Sequence, residues 1–283
     1  MADLPLSNRP KFIIFVHRNI DKPTQMALKV QTAERVSEDM SDNFVFQRSK
    51  LAYCLAAERI GGKVLEIGTG MGYGSRILAP RTEVFHTLDR YACPAVSELG
   101  DTVRFTRAAV PPVPFEDESF DFVVSFQVIE HIRKDKVLVD EIHRVLKPGG
   151  TAILSTPNKD MSLTRNPFHV REYTPEEFDR LLSGRFARVN RGGIAGNEKI
   201  MRYYEDNRKG VETITRFDVL DLQHRAPRWL LKIPYDLLNR LNRLKLLKKG
   251  NGLVESIEME DYFFSDIPEN CFDLFYTANK ARG

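Results

Sequence analysis

The chain of 283 residues is poor in cysteine, has no long apolar run and carries little net charge. Its three cysteines, Cys54, Cys93 and Cys271, lie far apart, which argues against a disulfide framework and favours a reducing compartment. The apolar run from Phe12 to Val16 is far shorter than the roughly 18 residues of a membrane span, and no secretory pattern is present. A formal net charge of +3 is too small to indicate a nucleic-acid partner. We therefore expect a cytoplasmic protein.

The chain does contain a regular alternation of strand-like and helical segments. Continuous apolar runs such as "FDFVVSFQVI" (120–129) are typical of strands that are buried on both faces. Helical periodicity appears between them, and Thr174, Pro175 and Glu177 form a capping box at the start of a helix. This alternation predicts a doubly wound, mostly parallel, seven-stranded sheet with helices on both faces.

The predicted organisation has four parts. Residues 1–45 form an N-terminal helical extension, 46–197 the core, 198–262 a helical basic insertion, and 263–283 the final strand of the core. Within the insertion, residues 225–249 hold eight basic residues against one acid, with leucines at helical spacing. We interpret this stretch as a lid over the active site; peripheral contact with the inner membrane face is the alternative. RNA binding is disfavoured because no aromatic stacking platform accompanies the charge.

Glycines follow the first predicted strand in the stretch "KVLEIGTGMGYGSR". Glycine in this place lets the backbone approach a ligand at the carboxyl end of a strand. The dinucleotide fingerprint G-x-G-x-x-G fails here, because its third glycine would fall on Tyr73 or Ser75. A nicotinamide oxidoreductase is therefore disfavoured.

Two carboxylates accompany these glycines. Glu66 precedes Gly68 by two residues, and Asp89 ends the next predicted strand. A carboxylate beside the loop would repel a pyrophosphate and would attract a ligand with a cationic end. Asp89 follows Gly68 by 21 residues. At this spacing a carboxylate can accept hydrogen bonds from both hydroxyls of an adenosine ribose.

The motifs "VLEIGTGMGYGS", "LDRY", "PFEDESFDFVVSFQVIEHI", "LKPGG" and "STPN" resemble those of class I S-adenosylmethionine-dependent methyltransferases. The closest resemblance is to the branch of ubiquinone-type and small-molecule methyltransferases. It runs from about residue 46 to 186 and resumes in the final strand. It implies a Rossmann-like fold, S-adenosyl-L-methionine as the cofactor, and methyl transfer as the reaction.

The resemblance also implies cofactor-binding roles. Glu66 would stabilise the methionyl ammonium group, directly or through water, and Asp89 would hold the ribose. Arg48 would pair with the cofactor carboxylate, or would instead be a solvated residue on a helix face. The remaining implied contacts are the loop around the methionine part (Gly68, Gly70, Gly72), the methionyl lining (Phe126, Gln127) and the adenine site (Ala109, Val110). Ala109 stands where relatives have an acid for the adenine amino group, so adenine would depend on backbone groups and apolar contact.

Two histidines lie at the predicted reacting end, the part of the site where the methyl group would be transferred. The general base is expected to be His169 or His131, with His169 preferred, while Arg171 orients an anionic or sugar-like acceptor or else pairs with Glu172. No metal is expected, since ubiquinone-type relatives bind one through two acids and a histidine, and Gln127 replaces the first acid. Glu130 and His131 would then cap or pair at a helix start.

The predicted function is methyl transfer, to oxygen, on a small-molecule or lipid- or sugar-linked metabolite. The tetrapeptide used for nucleobase amino groups and the paired-glutamate loop of protein arginine methyltransferases are both missing. The alternative is a non-catalytic S-adenosylmethionine-binding protein that uses its basic insertion to bind a partner.

Overall fold

The computed structural model of the chain describes residues 42–100, 102–215 and 252–283, together with Pro227 and Leu231. The predicted extension, apart from residues 42–45, and the basic stretch 225–249, apart from Pro227 and Leu231, lie outside the described residues. None of the described helices is long and apolar enough to span a membrane.

The described residues form a single sheet with helices packed on its faces. The helices are α1 (Asn43–Ala57), α2 (Tyr73–Leu78), α3 (Asp135–Val145), α4 (Pro175–Ser183) and α5 (Glu198–Thr215). The strands are β1 (Lys63–Ile67), β2 (Val84–Asp89), β3 (Val103–Arg107), β4 (Phe120–Phe126), β5 (Leu146–Pro157), β6 (Arg188–Asn190), β7 (Gly193–Gly196), β8 (Tyr262–Ser265) and β9 (Asp273–Asn279).

The strand order is β3-β2-β1-β4-β5-β9-β7-β8, with β6 also paired to β9. Strands β1 to β5 are parallel, while β9 runs antiparallel to β5. The order reverses between β1 and β4, so a crevice opens where their carboxyl ends diverge. This topology confirms the predicted doubly wound, mostly parallel sheet.

Two short strands were not foreseen, and the described sheet has nine strands instead of seven. Strands β7 and β8 pair with each other at one edge, antiparallel. Each has only four residues, and β7 begins and ends in glycine. A stretch so short and so poor in side chains carries no alternation pattern, because period-2 patterning needs several residues to be recognised.

Apolar side chains on both sheet faces form the core. On one face, Leu138 and Ile142 of α3 and Phe178 of α4 pack in one buried cluster. On the other face, Ala56 of α1 and Ile200 of α5 belong to a second cluster. Full burial of a leucine, isoleucine or phenylalanine side chain stabilises the fold by about 1.5–3 kcal/mol. The helix α5, which lies in the predicted insertion, is therefore packed against the core.

The predicted capping box at α4 is present. The Thr174 hydroxyl accepts a hydrogen bond from the Glu177 amide at 3.3 Å, and the Glu177 carboxylate accepts one from the Thr174 amide at 3.0 Å. Pro175 occupies the first helical position. Because α4 follows the loop after β5, this cap fixes where that loop ends.

Candidate cofactor cleft and acceptor site

A cleft of about 540 Å³ lies at the carboxyl ends of β1, β2 and β4. Its walls come from the loops that follow β1, β2, β3 and β4 and from one face of α1. The predicted site residues that line it are Gly68, Gly70, Asp89, Ala109, Val110, Phe126, Gln127 and His131. The structure thus gathers in one cavity predicted residues that lie up to 63 positions apart in the sequence, from Gly68 to His131.

The loop after β1 has a backbone that only glycine adopts readily. Gly68 has a φ of 95°, and a Cβ there would lie 2.4 Å from Cγ2 of Val128. Gly70 has a φ of 56° with nothing within 4 Å of the space a Cβ would fill, and Gly72 caps α2 with a φ of 84°. The loop therefore presents bare backbone to the cleft, as a closely held ligand requires.

Asp89 joins this loop to the end of β2. Its Oδ2 accepts a hydrogen bond from the Gly70 amide at 2.9 Å, and its Oδ1 accepts one from the Tyr91 amide at 2.9 Å. Each carboxylate oxygen has two lone pairs, so each can accept more than one hydrogen bond. The carboxylate is thus oriented at the cleft wall before any ligand arrives.

Glu66 lies beneath the loop and is only 1% exposed. Its Oε2 accepts hydrogen bonds from the hydroxyls of Ser75 at 2.5 Å and Thr87 at 2.6 Å. Burial raises the pKa of Glu66 to about 7, although these hydrogen bonds oppose the shift. A buried carboxylate near neutrality gains from a cation nearby. Glu66 is not itself part of the cleft wall, so its predicted action on an ammonium group stays a prediction.

The end of β4 holds a second unusual backbone position. Gln127, which is not glycine, has a φ of 56°, and its amide donates to the Ser155 carbonyl at 2.9 Å. A non-glycine residue with a positive φ is strained, and such residues are concentrated at functional sites. Nearby, the buried Oγ of Ser125 makes no hydrogen bond to any described residue. The open glycine loop and Asp89 at the cleft wall, with the buried Glu66 beneath the loop, fit an adenosine ligand with a cationic end.

Arg48 takes neither of its two predicted places. Its Nε lies 2.6 Å from Oδ2 of Asp273, and the side chain is 12% exposed. Arg48 is therefore neither solvated nor among the residues that line the cleft. Burial raises the pKa of Asp273, and the Arg48 guanidinium opposes that shift. The sequence could not reveal this pairing, because 225 positions separate the two residues.

His131 lines the cleft and has a defined tautomer. Its Nδ1 lies 3.1 Å from the carbonyl oxygen of Phe168. Since a carbonyl only accepts, Nδ1 carries a proton, and in the neutral imidazole Nε2 then keeps its lone pair. Among the described residues, Nε2 of His131 has no hydrogen-bond partner.

His169 is held differently, and both of its ring nitrogens are engaged. Its Nδ1 lies 2.6 Å from the Glu172 carboxylate and its Nε2 lies 2.9 Å from the amide nitrogen of Asn166. The Asn166 carbonyl oxygen accepts from the Phe168 amide, which fixes the amide so that its NH₂ group faces His169. The Nε2 lone pair, which a base would use to take up a proton, therefore already accepts a hydrogen bond from Asn166. On this geometry we prefer His131 over His169.

Arg171 is also committed elsewhere. Its Nη1 lies 2.7 Å from Oδ2 of Asp135, which also accepts a hydrogen bond from the Tyr173 hydroxyl at 2.9 Å. The described residues show no ion pair between Arg171 and Glu172, and Arg171 is not among the residues that line the cleft. The ion pair instead fastens the loop after β5 to the start of α3.

Glu130, His131 and His169 come together at the reacting end. One potential ligand atom from each lies within 4.8 Å of the other two. The sequence predicts no metal here, and it is the fold that brings His169 next to Glu130 and His131. The hydrogen bonds to both nitrogens of His169 compete with such a role.

Sequence reasoning missed several residues that line the cleft: Ser49, Tyr53, Tyr73, Tyr91, Arg133 and Lys134. Ser49 and Tyr53 are four positions apart on α1 and so share a helix face. That spacing is a signal in the sequence, but only the tertiary structure shows that this face meets the cleft.

The chain is similar in sequence to known methyltransferases. Residues 65–154 match the family model described as a methyltransferase domain. The chain is 35% identical over 160 residues to a protein of Mycolicibacterium smegmatis named "probable S-adenosylmethionine-dependent methyltransferase", covering 53% of this chain and 62% of that one. It is 30% identical over 125 residues to a ubiquinone biosynthesis O-methyltransferase of Pseudomonas syringae pv. tomato, covering 42% and 50%.

A solved S-adenosylmethionine-dependent methyltransferase of Thermotoga maritima shares the fold, with a TM-score of 0.53 at 15% identity over 84% of this chain and 92% of that one. The chain spans 62% and 50% of the lengths of the two curated relatives above. These comparisons confirm the predicted resemblance to class I S-adenosylmethionine-dependent methyltransferases, and the part of the chain that matches the methyltransferase family model is residues 65–154. The predicted cofactor agrees with the names of these relatives.

Proposed function

We propose that this protein binds S-adenosyl-L-methionine and transfers its methyl group to an oxygen of a small-molecule or lipid- or sugar-linked metabolite. The observation that carries the proposal is a single cleft that joins the glycine loop and Asp89 to His131. The first two suit the cofactor and the third suits a hydroxyl acceptor.

The residues would divide the work by position. Asp89 would accept hydrogen bonds from the ribose hydroxyls, while Gly68 and Gly70 give the ligand access to the backbone. Glu66 would stabilise the ammonium group from beneath the loop. When bound, S-adenosyl-L-methionine supplies an electrophilic methyl group on a sulfonium centre.

His131 would remove the proton from the acceptor hydroxyl with its Nε2. The Phe168 carbonyl holds the proton on Nδ1 and would stabilise the charged ring that results. A positioned base of this kind contributes a factor of about 10²–10⁴ to a rate. A hydroxyl needs such a base near neutral pH, which supports oxygen as the acceptor atom.

Calorimetric titration with S-adenosyl-L-methionine tests the cofactor part of the proposal. Asp89→Ala removes a charged acceptor worth about 1.5–3 kcal/mol, so affinity should fall by about ten- to a hundredfold. The exposed Asp160, which lies outside the cleft lining, supplies the control Asp160→Ala, whose affinity should match the unmodified chain. An unchanged affinity for Asp89→Ala in a folded protein contradicts the ribose role.

The acceptor is found by a second experiment. The protein is incubated with isotopically labelled S-adenosyl-L-methionine and with cell extract or lipid fractions, and mass spectrometry identifies the compound that gains a methyl group. A labelled hydroxyl compound supports the proposal; a labelled amine or carbon centre contradicts oxygen transfer.

A further inference from the structure

The cleft wall is basic. Three basic side chains line it, namely Arg90, Arg133 and Lys134, against one carboxylate, Asp89. That carboxylate is the proposed ribose ligand. A cleft lined by one sign of charge concentrates ligands of the opposite sign.

Arg133 and Lys134 differ from the other basic residues near the site. Arg48 and Arg171 are held by Asp273 and Asp135. Arg133 and Lys134 are exposed, and neither forms an ion pair with any residue in the described part of the chain. They are the cations of the wall that remain for a ligand.

Their position relates them to the reacting end and not only to the cofactor. Arg133 follows His131 by two residues, after an extended Ile132 with φ −99° and ψ 120°. All four residues from His131 to Lys134 line the same cavity. A group held by the two cations would thus lie beside the base that we assign to the acceptor hydroxyl.

We propose that the methyl acceptor carries an oxyanion group, a phosphate ester or a carboxylate, and that Arg133 and Lys134 bind it at the cleft mouth. This inference rests on the proposed methyl transfer and adds the class of acceptor. An arginine fork matches the oxygens of phosphate and carboxylate, and the neighbouring lysine adds a second charge. The sequence assigned this task to Arg171, which the fold employs in its pair with Asp135.

The test measures binding of a simple oxyanion to the chain saturated with S-adenosylhomocysteine. Phenyl phosphate and benzoate are titrated by calorimetry, with benzyl alcohol as the uncharged comparison. In the double variant Arg133→Gln with Lys134→Gln, the affinity for the oxyanions should fall by at least about fivefold, the loss expected for about 1 kcal/mol. The control is Arg81→Gln with Arg104→Gln, two exposed bases outside the cleft lining, which should bind as the unmodified chain does.

Vesicles of phosphatidylglycerol distinguish the two sources of such a group. Loss of cosedimentation in the Arg133, Lys134 variant but not in the control assigns the oxyanion to a lipid headgroup. Equal cosedimentation of both variants, with the calorimetric difference retained, assigns it to a soluble metabolite.

Two results would overturn the inference. One is equal oxyanion affinity for the Arg133, Lys134 variant and the unmodified chain. The other is a loss of S-adenosylhomocysteine affinity in that variant, which would give the two cations to the cofactor carboxylate. If the unmodified chain binds neither S-adenosyl-L-methionine nor S-adenosylhomocysteine, the proposed function fails; the oxyanion titration of the unliganded chain then still tests Arg133 and Lys134.

Discussion

At the scale of the residue, hydrogen-bond partners separate two histidines that look alike in the sequence. The rings of His131 and His169 pack edge to face with centroids 5.0 Å apart. The Phe168 carbonyl leaves a lone pair on Nε2 of His131, whereas Asn166 occupies the lone pair of His169. The two side chains therefore have different chemical capacities in nearly the same place.

We predict that His131→Gln slows methyl transfer by about 10²-fold or more, because a positioned base is lost. His169→Ala should have a smaller effect, since His169 acts only through its packing against His131. Incorporation of labelled methyl groups into extract acceptors measures the rate, and calorimetry checks that cofactor affinity is unchanged in both variants. A larger loss in His169→Ala than in His131→Gln would reverse the assignment.

Glu66 predicts a pH dependence of cofactor binding. Its pKa in the free chain is about 7 because of burial, so it is largely protonated below that pH. A bound ammonium group favours the carboxylate and lowers this pKa. The affinity for the cofactor should then rise by up to about tenfold per pH unit up to about pH 7, and stay constant at higher pH.

Calorimetry between pH 5.5 and 8, in buffers of different ionisation enthalpy, measures both the affinity and the released protons; these conditions are chosen to span about one to two units around the Glu66 pKa. Glu66→Gln keeps the shape but cannot titrate, and its comparison with the unmodified chain removes the titration of the ligand itself. Identical pH profiles for the two proteins would exclude Glu66 as the partner of a cationic group.

At the scale of the element, α1 connects the cleft to distant parts of the chain. Asn43 at its start donates hydrogen bonds to the carbonyls of Val254 at 2.7 Å and Ile257 at 2.8 Å. Ser49 and Tyr53 of the same helix line the cleft. The helix therefore forms one wall of the cofactor site while its first turn is fixed to the segment that precedes β8.

The ion pair of Arg48 with Asp273 joins α1 to β9, and it predicts a large stability effect. Asp273→Ala leaves the mostly buried Arg48 without its partner, which should cost about 3–5 kcal/mol. The double variant Arg48→Met with Asp273→Leu removes both charges and should recover at least half of that loss. Urea unfolding measures the free energies, and equal stabilities of Asp273→Ala and the unmodified chain would show that the pair contributes nothing.

At the scale of the whole molecule, the strand order creates the site. The chain leaves β1 toward β2 on one side and returns through β4 on the other. Loops at the carboxyl ends of these strands then converge on one cleft. Residues of α1, β2 and the loops after β3 and β4 reach it from both directions, which is why the site contains residues so far apart in the sequence.

Much of this architecture could be predicted from local patterns. The apolar runs of β1 and β4, the Thr174 capping box and the glycines after β1 each report on their own surroundings within a few residues. The short edge strands β7 and β8 could not be predicted, because four residues carry too little pattern. Their pairing is decided by the sheet edge that β9 presents.

The succession of strands and helices along the chain, the bare glycine loop and the carboxylate of Asp89 follow from the sequence, since each depends on local backbone preference or on a chain direction that the βαβ connection imposes. The contacts of Arg48, Arg171 and His169 are defined only in the folded chain. The partners of Arg48 and Arg171 are distant in the sequence. The partners of His169 lie in its own loop, which has no periodic sequence pattern. The role of a charged or titratable side chain depends on its neighbours in space, and those are known only after the chain has folded.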